Sequence, residues 1–209
     1  MAVIKGNARS NHINGTNRAD TIYGYDGDDS VYSSGGADTI HLGRGNDIGA
    51  GGEGADRIYG NSGDDTLRGE AGNDRLYGGI GGDRLFGGLG NDLLQDGELV
   101  WGGGNDDVFQ FTDAWAKGNY VSRIVDFTGD KIDLSLIDAN ENVAGNQSFR
   151  WIGSNAFSGQ PGELKYINVV IDGRPAEVQV WGDTDGDRLY DFSIYVEGYV
   201  AMTPGDFIL

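Results

Sequence analysis

An aspartate recurs every nine residues in the first half of this chain: Asp20, Asp29, Asp38, Asp47, Asp56, Asp65, Asp74, Asp83 and Asp92. Carboxylates are hard, charged oxygen donors, the ligand type that calcium takes together with carbonyl oxygens. Two residues after them stand Ile22, Val31, Ile40, Gly49, Ile58, Leu67, Leu76, Leu85 and Leu94, aliphatic in every case but Gly49. Two residues before, from the second aspartate onward, stand Gly27, Gly36, Gly45, Gly54, Gly63, Gly72, Gly81 and Gly90. Glycine there allows a sharp turn at backbone angles that other residues adopt only at a cost, and the turn aims carbonyl oxygens inward. These eight glycines join the aspartates as candidate calcium-site residues.

The elements that position such ligands follow from the period. Each nine-residue unit has room for one short strand with a single inward aliphatic side chain, and for one loop. With two units per turn, loops on the same side lie 18 residues apart. One edge then carries Asp20, Asp38, Asp56, Asp74 and Asp92, and the other Asp29, Asp47, Asp65 and Asp83. Adjacent strands are about 4.8 Å apart, and carboxylates at that spacing repel by roughly 1 kcal/mol per pair even in water. A calcium ion in each gap reverses the sign and couples metal binding to folding. Four gaps on one edge and three on the other predict about seven ions.

The pattern G-G-x-G-x-D-x-U-x, seen in Gly24 to Tyr32 and Gly69 to Tyr77, resembles the repeat of the RTX family. The resemblance implies a parallel β-roll that folds on calcium. The first repeats depart from it, with Arg9 and Arg18 in glycine places and Asn11 in an aspartate place; residues 1–19 read as a polar cap. Gly49 interrupts the aliphatic stack, either as a packing defect or as a shift of the inward residue to Ile48. After Leu94 the frame breaks: Val108 follows 14 residues later, so Gln95 to Trp101 reads as an inserted loop closing the roll. Gly102 to Phe109 reads as a last repeat with Asp106 as its ligand.

From residue 108 the composition changes, which divides the chain into a roll (1–107) and a β-rich C-terminal region (108–209). Alternating runs such as Lys131 to Leu136, Leu164 to Ile171 and Phe192 to Val196 predict a mostly antiparallel sheet or sandwich, and so an all-β protein. Arg123 to Phe127, Asp130 to Asn140, Asn146 to Phe149, Ile152 to Gly159, Gly162 to Tyr166 and Thr203 to Leu209 resemble the C-terminal domain of serralysin-type secreted metalloproteases. That resemblance implies a non-catalytic role in calcium-dependent folding and export through type I secretion machinery. It also implies that the closing Asp206, Phe207, Ile208 and Leu209 are the export signal. Asp183, Asp185, Asp187 and Asp191 form a D-x-D-x-D-x-x-x-D loop, a candidate for one further calcium ion, although the EF-hand pattern is not met.

Lysine and arginine number 15 against 33 acidic residues, a net charge of −18, which excludes polycation-like binding of nucleic acid and attraction to anionic lipid. There is no cysteine, hence no disulfide or thiolate site. No apolar run has membrane-spanning length and the first residues lack a signal-like core; the calcium logic nevertheless points outside the cell, where such loops are tuned to millimolar calcium. Only His12 and His41 exist, so no H-E-x-x-H zinc helix can form. Gly49 to Gly54 matches G-x-G-x-x-G but lies inside the repeat frame without a βαβ unit. The reading is therefore a non-catalytic, secreted calcium module, with any catalytic domain elsewhere on a parent chain. Two alternatives stand beside it: the tail of a serralysin-like zinc protease, and a module binding anionic polysaccharide, similar to those of alginate epimerases. For the latter, Tyr23, Tyr59 and Tyr77 with Arg57 and Arg75 form the candidate strip, because arginine suits bidentate carboxylate contacts; cross-strand aromatic packing explains the same rings.

Overall fold

The structure, a computed structural model, describes residues 1–118, 121–171, 174–198 and 201–209. It forms two compact units, Met1–Phe109 and Gln110–Leu209.

The first unit is a parallel β-roll. Its strands are β1 (Val3–Lys5), β2 (His12–Asn14), β3 (Thr21–Asp26), β4 (Ser30–Tyr32), β5 (Thr39–Arg44) and β6 (Ile48–Glu53). They continue with β7 (Arg57–Ser62), β8 (Thr66–Ala71), β9 (Arg75–Ile80), β10 (Arg84–Leu89), β11 (Leu93–Gln95) and β12 (Leu99–Gly104). Odd strands pair in parallel with odd, and even with even. The register is 18 residues: Ile22 faces Ile40, Ile40 faces Ile58, and Ile58 faces Leu76. The first turn already obeys it, with Ile4 opposite Ile22, so residues 3–14 are wound into the roll. One sheet contributes Ile22, Ile40, Ile58, Leu76 and Leu94 to the interior, the other Ile13, Val31, Leu67 and Leu85, all buried. One aliphatic residue per nine is a thin core, so the loops between strands carry much of the burden of stability.

Gly49 keeps the inward register, and Ile48 beside it is 36% exposed. The space is filled from the opposite sheet. A Cβ on Gly49 would lie 3.1 Å from Leu42 Cδ1 and 3.1 Å from Ile58 Cγ2. Leu42, fully buried, stands where the neighbouring turns have Gly24 and Gly60.

The frame break is a deletion, which corrects the inserted loop expected at Gln95 to Trp101. β12 pairs with β10 in a 15-residue register, Leu85 opposite Val100, so this turn is three residues short of 18. Val100 is buried as its inward residue, and Trp101 stacks on Phe86 with ring centroids 4.4 Å apart. This repeat escapes a search for glycine and aspartate because its loop has shrunk to Asp96, Gly97 and Glu98. The frame of the last repeat moves with it: fully buried Phe109, and not Val108, points inward.

After β13 (Val108–Thr112), the second unit contains, among its described residues, the short α-helix α1 (Asp113–Lys117), a 3-10 turn at Pro204–Asp206, and strands β14 (Ser122–Ile124), β15 (Lys131–Leu136) and β16 (Arg150–Gly153). It continues with β17 (Glu163–Ile171), β18 (Arg174–Asp183), β19 (Phe192–Glu197) and β20 (Phe207–Ile208). Tyr120, where the sequence starts a strand running to Phe127, lies outside the described residues. β17, β18 and β19 form an antiparallel meander, whereas β14 with β19, β16 with β17 and β15 with β20 pair in parallel. The unit is thus mixed where the sequence predicts a mostly antiparallel region. Alternation along a strand fixes which face is buried but says nothing about a partner's direction. Its aromatic core includes Phe111, Trp115, Phe149 and Phe192, with centroid separations of 4.4 to 5.9 Å. Among the described residues no helix is long and apolar enough to cross a membrane.

Candidate metal centre

Each repeating aspartate sits just before a strand and is buried, from Asp20 and Asp92 at 3% exposure to Asp83 at 0%. Its Oδ1 accepts the backbone N–H of the residue one turn earlier, Ala2 for Asp20, Asn11 for Asp29 and an aspartate for the rest. On one edge Asp20, Asp38, Asp56 and Asp74 donate in this way to Asp38, Asp56, Asp74 and Asp92, at 2.6 to 2.8 Å. On the other, Asp29, Asp47 and Asp65 donate to Asp47, Asp65 and Asp83, at 2.7 to 2.9 Å. The two columns are those read from the sequence.

Oδ2 is different. In Asp29, Asp38, Asp47, Asp56, Asp65, Asp74, Asp83 and Asp92 it is buried without a hydrogen-bond partner. A buried carboxylate oxygen left in that condition is costly unless a cation or proton reaches it. In Asp29, Asp56, Asp65, Asp74, Asp83 and Asp92 it faces the glycine five residues earlier; Asp38 and Asp47 have Ser33 and Leu42 at that position. A Cβ on Gly60 would collide with Asp65 Oδ2 and lie 2.5 Å from the carbonyl oxygen of Gly78, one turn on. Gly69 stands likewise between Asp74 Oδ2 and the Gly87 carbonyl (2.6 Å), and Gly87 between Asp92 Oδ2 and the Gly102 carbonyl (2.5 Å). A carboxylate oxygen and a carbonyl oxygen from the next turn converge on space that only glycine leaves open. That donor set fits calcium. The sequence reading singled out the fourth-position glycines; these first-position ones were equally visible in the repeat.

The fourth-position glycines do another job. Gly27 to Gly90 all have positive φ, and a Cβ on Gly63 or Gly81 would lie inside the carbonyl of the equivalent glycine one turn back. They let successive loops stack closely enough for carbonyl groups to line the gaps.

Burial pushes the Asp47, Asp56 and Asp83 carboxyls up to about 6, and those of Asp65 and Asp74 up to about 7. Asp29, Asp38 and Asp92 are raised for the same reason, desolvation outweighing the hydrogen bonds to Oδ1. Asp20 goes the other way. The Thr16 hydroxyl (2.7 Å) and N–H (2.9 Å) both donate to its Oδ2 and hold its pKa below the usual carboxylate range. Asn11 continues the backbone column, donating its N–H to Asp29 Oδ1 at 2.7 Å, but brings no charge.

Asp106 is exposed and outside the column. Asp107 holds the position instead: it is 1% exposed, accepts the Asp92 N–H at 2.8 Å, and faces Gly102 with a buried Oδ2. Counting the frame to Val108 puts Asp106 in the aspartate place, whereas the buried Phe109 puts Asp107 there. Because Asp56 and Asp65 are buried carboxylates lining gaps in the middle of the ladder, whereas Asn11 brings no charge, we predict that Asp56→Ala and Asp65→Ala raise the calcium midpoint of folding several-fold more than Asn11→Ala. Equal midpoints for the three variants in a circular-dichroism titration would show that these carboxylates do not hold the ions.

In the second unit, carboxylate oxygens of Asp183, Asp185 and Asp187 lie within 4.8 Å of one another. Each also accepts backbone N–H groups of its own loop: Asp183 those of Gly186 and Arg188, Asp185 that of Asp187, and Asp187 that of Leu189. Asp191 instead accepts the Thr184 N–H and hydroxyl at 2.6 and 2.7 Å. At the chain end Asp206 accepts the Thr203 N–H and hydroxyl, and Phe207 is buried in β20 opposite Ile132.

The rings of Tyr23, His41, Tyr59 and Tyr77 stack nearly parallel, with centroids 5.2, 4.7 and 4.7 Å apart. Each inner ring is covered on both faces by its neighbours, which is cross-strand packing and leaves only ring edges to solvent. Arg57 and Arg75 lie opposite each other and exposed on the same sheet. His12 and His41 are on different sheets.

The family described as the RTX calcium-binding nonapeptide repeat (4 copies) matches residues 5–40, 41–76 and 59–94. No curated protein matches the chain. Among solved structures, the AlgE6R3 subunit of the Azotobacter vinelandii mannuronan C5-epimerase is 21% identical. The match covers 77% of this chain and 78% of that one, with a TM-score of 0.34. The roll of this chain, with its columns of buried aspartates and glycine-lined gaps, is a set of RTX calcium-binding nonapeptide repeats.

Proposed function

We propose that the chain is a calcium-triggered folding module of an exported protein, non-catalytic in itself, that stays unwound at cytosolic calcium and folds outside the cell. The observation that carries this reading is the run of buried Oδ2 atoms without partners. Interior carboxylates of one sign along both edges oppose winding until divalent ions enter the gaps, about seven between Asp20 and Asp92 on one edge and Asp29 and Asp83 on the other. Intracellular calcium is far below the millimolar range in which extracellular calcium modules work, so the trigger is the change of compartment. A one-step exporter that threads an unfolded chain suits such a module, with Asp206 to Leu209 as the signal read before β20 forms. The Asp183, Asp185 and Asp187 loop offers one further site on the same chemistry. The test is far-ultraviolet circular dichroism of the whole chain across calcium concentrations. Cooperative gain of β-structure between micromolar and millimolar calcium is expected; a β-rich spectrum unchanged by exhaustive chelation sinks the proposal.

A further inference from the structure

The gaps along the roll are not equivalent, and the exception lies at residue 42. In the turns before and after it on the same sheet, the first loop position is Gly24 and Gly60. A Cβ at either would collide with the Oδ2 of the aspartate five residues on, Asp29 or Asp65. At Leu42 a real Cβ stands at that loop position, so Asp47 Oδ2, buried without a partner like its counterparts, has a hydrocarbon neighbour where they have only a glycine. The rest of the leucine turns inward to fill the hole above Gly49, its δ-carbons 3.1 and 3.5 Å from where a Gly49 Cβ would be. Space that elsewhere is shared by a carboxylate and a carbonyl oxygen is here occupied by hydrocarbon. The other departure is milder: Ser33, also at a first position, is fully buried, and its hydroxyl donates to the Gly51 carbonyl at 2.5 Å, so an oxygen still lines that gap.

We infer that Leu42 shuts one gap of the metal ladder, between the loops ending at Asp47 and Asp65, so that calcium loads this edge in two separate stretches. The inference rests on the calcium reading above and refines it. Leu42 and Gly49 form a reciprocal pair within one repeat: the leucine stands at its first loop position and the glycine at its inward position, the reverse of the repeat pattern. Exchanging them restores both positions to the repeat pattern at nearly constant core volume, a change that cores tolerate well.

The experiment is native mass spectrometry of the full chain in calcium, comparing wild type with the double variant Leu42→Gly/Gly49→Leu. The variant is expected to hold one ion more than wild type. Equal ion counts overturn the inference while leaving calcium binding intact; no ions on either protein overturns the underlying reading instead. Should the variant fail to fold, anomalous diffraction from calcium-loaded wild-type crystals decides. An ion between the 42–47 and 60–65 loops refutes the closure, and ions in the neighbouring gaps but not in this one bear it out.

Discussion

Stripped of metal at neutral pH, the roll is expected to unfold, and acidification alone is expected to bring its β-structure back. The Asp47, Asp56, Asp65, Asp74 and Asp83 carboxyls are raised to between about 6 and about 7 in the wound state by burial. In the unwound chain they titrate near the ordinary aspartate value of about 3.9. Between those values the wound state binds more protons, so its stability falls as pH rises through the window. At pH 4 the penalty is nearly absent; above pH 7 it is complete. Each pKa unit corresponds to about 1.4 kcal/mol, so each of these carboxylates costs on the order of 3 kcal/mol at neutral pH. Five of them together match or exceed the ~5–15 kcal/mol that holds an ordinary domain folded. Circular dichroism in excess EDTA, scanned from pH 8 to pH 4, should show β-structure appearing below about pH 6. Calcium should move the same transition in the opposite sense, since protons and calcium compete for Oδ2: in limiting calcium, ions leave as pH falls through 6. A spectrum in EDTA that is already β-rich at pH 8 and flat to pH 4 contradicts the prediction, and with it the cost assigned to these carboxylates.

The second large effect concerns backbone rather than charge. Gly72→Ala is expected to abolish cooperative folding even in saturating calcium. Gly72 has φ +145, and a Cβ there would lie inside the carbonyl oxygen of Gly54. Two costs add: an angle that L-residues rarely adopt, and a backbone overlap that can be relieved only by spreading two loops. Spreading the loops pulls apart the carbonyl and carboxylate oxygens that converge on the gaps, so metal affinity drops with stability. A loss above about 4 kcal/mol falls in the range reserved for mutations with such a specific mechanism. Ser62→Ala, at a loop position without that constraint, serves as the control and should change little. Melting of Gly72→Ala within about 1 kcal/mol of the parent in millimolar calcium would mean that the loops are looser than their stacking implies. Not every positive φ is equally strict: Tyr25, Ser34, Asn61 and Glu70 occupy second loop positions at φ +74 to +86. Their side chains are exposed at the corner of the roll, and their φ lies lower than at the fourth-position glycines.

The amino-acid sequence by itself determined the roll, its 18-residue turn and the two aspartate columns. A nine-residue period that holds glycine, carboxylate and aliphatic residue in fixed order leaves one way to bury the aliphatics and stack the loops. Side-chain period and backbone period are the same quantity there, so the pattern is the structure. Where two residues distant in the pattern share one space, only the tertiary structure decided. Leu42 and Gly49 lie on opposite sheets, and neither residue alone reveals that one fills the hole left by the other. The short turn was hidden because Asp96, Gly97 and Glu98 do not keep the repeat's spacing of glycines and aspartate, while Val100 still occupies its place in the core. That hidden turn shifted the frame by one residue and exchanged Asp106 for Asp107. Thr16 closing Asp20 needs two hydrogen bonds formed within a single loop, a matter of angles that spacing does not encode. In the second unit no fixed period ties one strand to the next, so strand positions were legible while the parallel partners of β14, β16 and β15 were settled by packing in three dimensions.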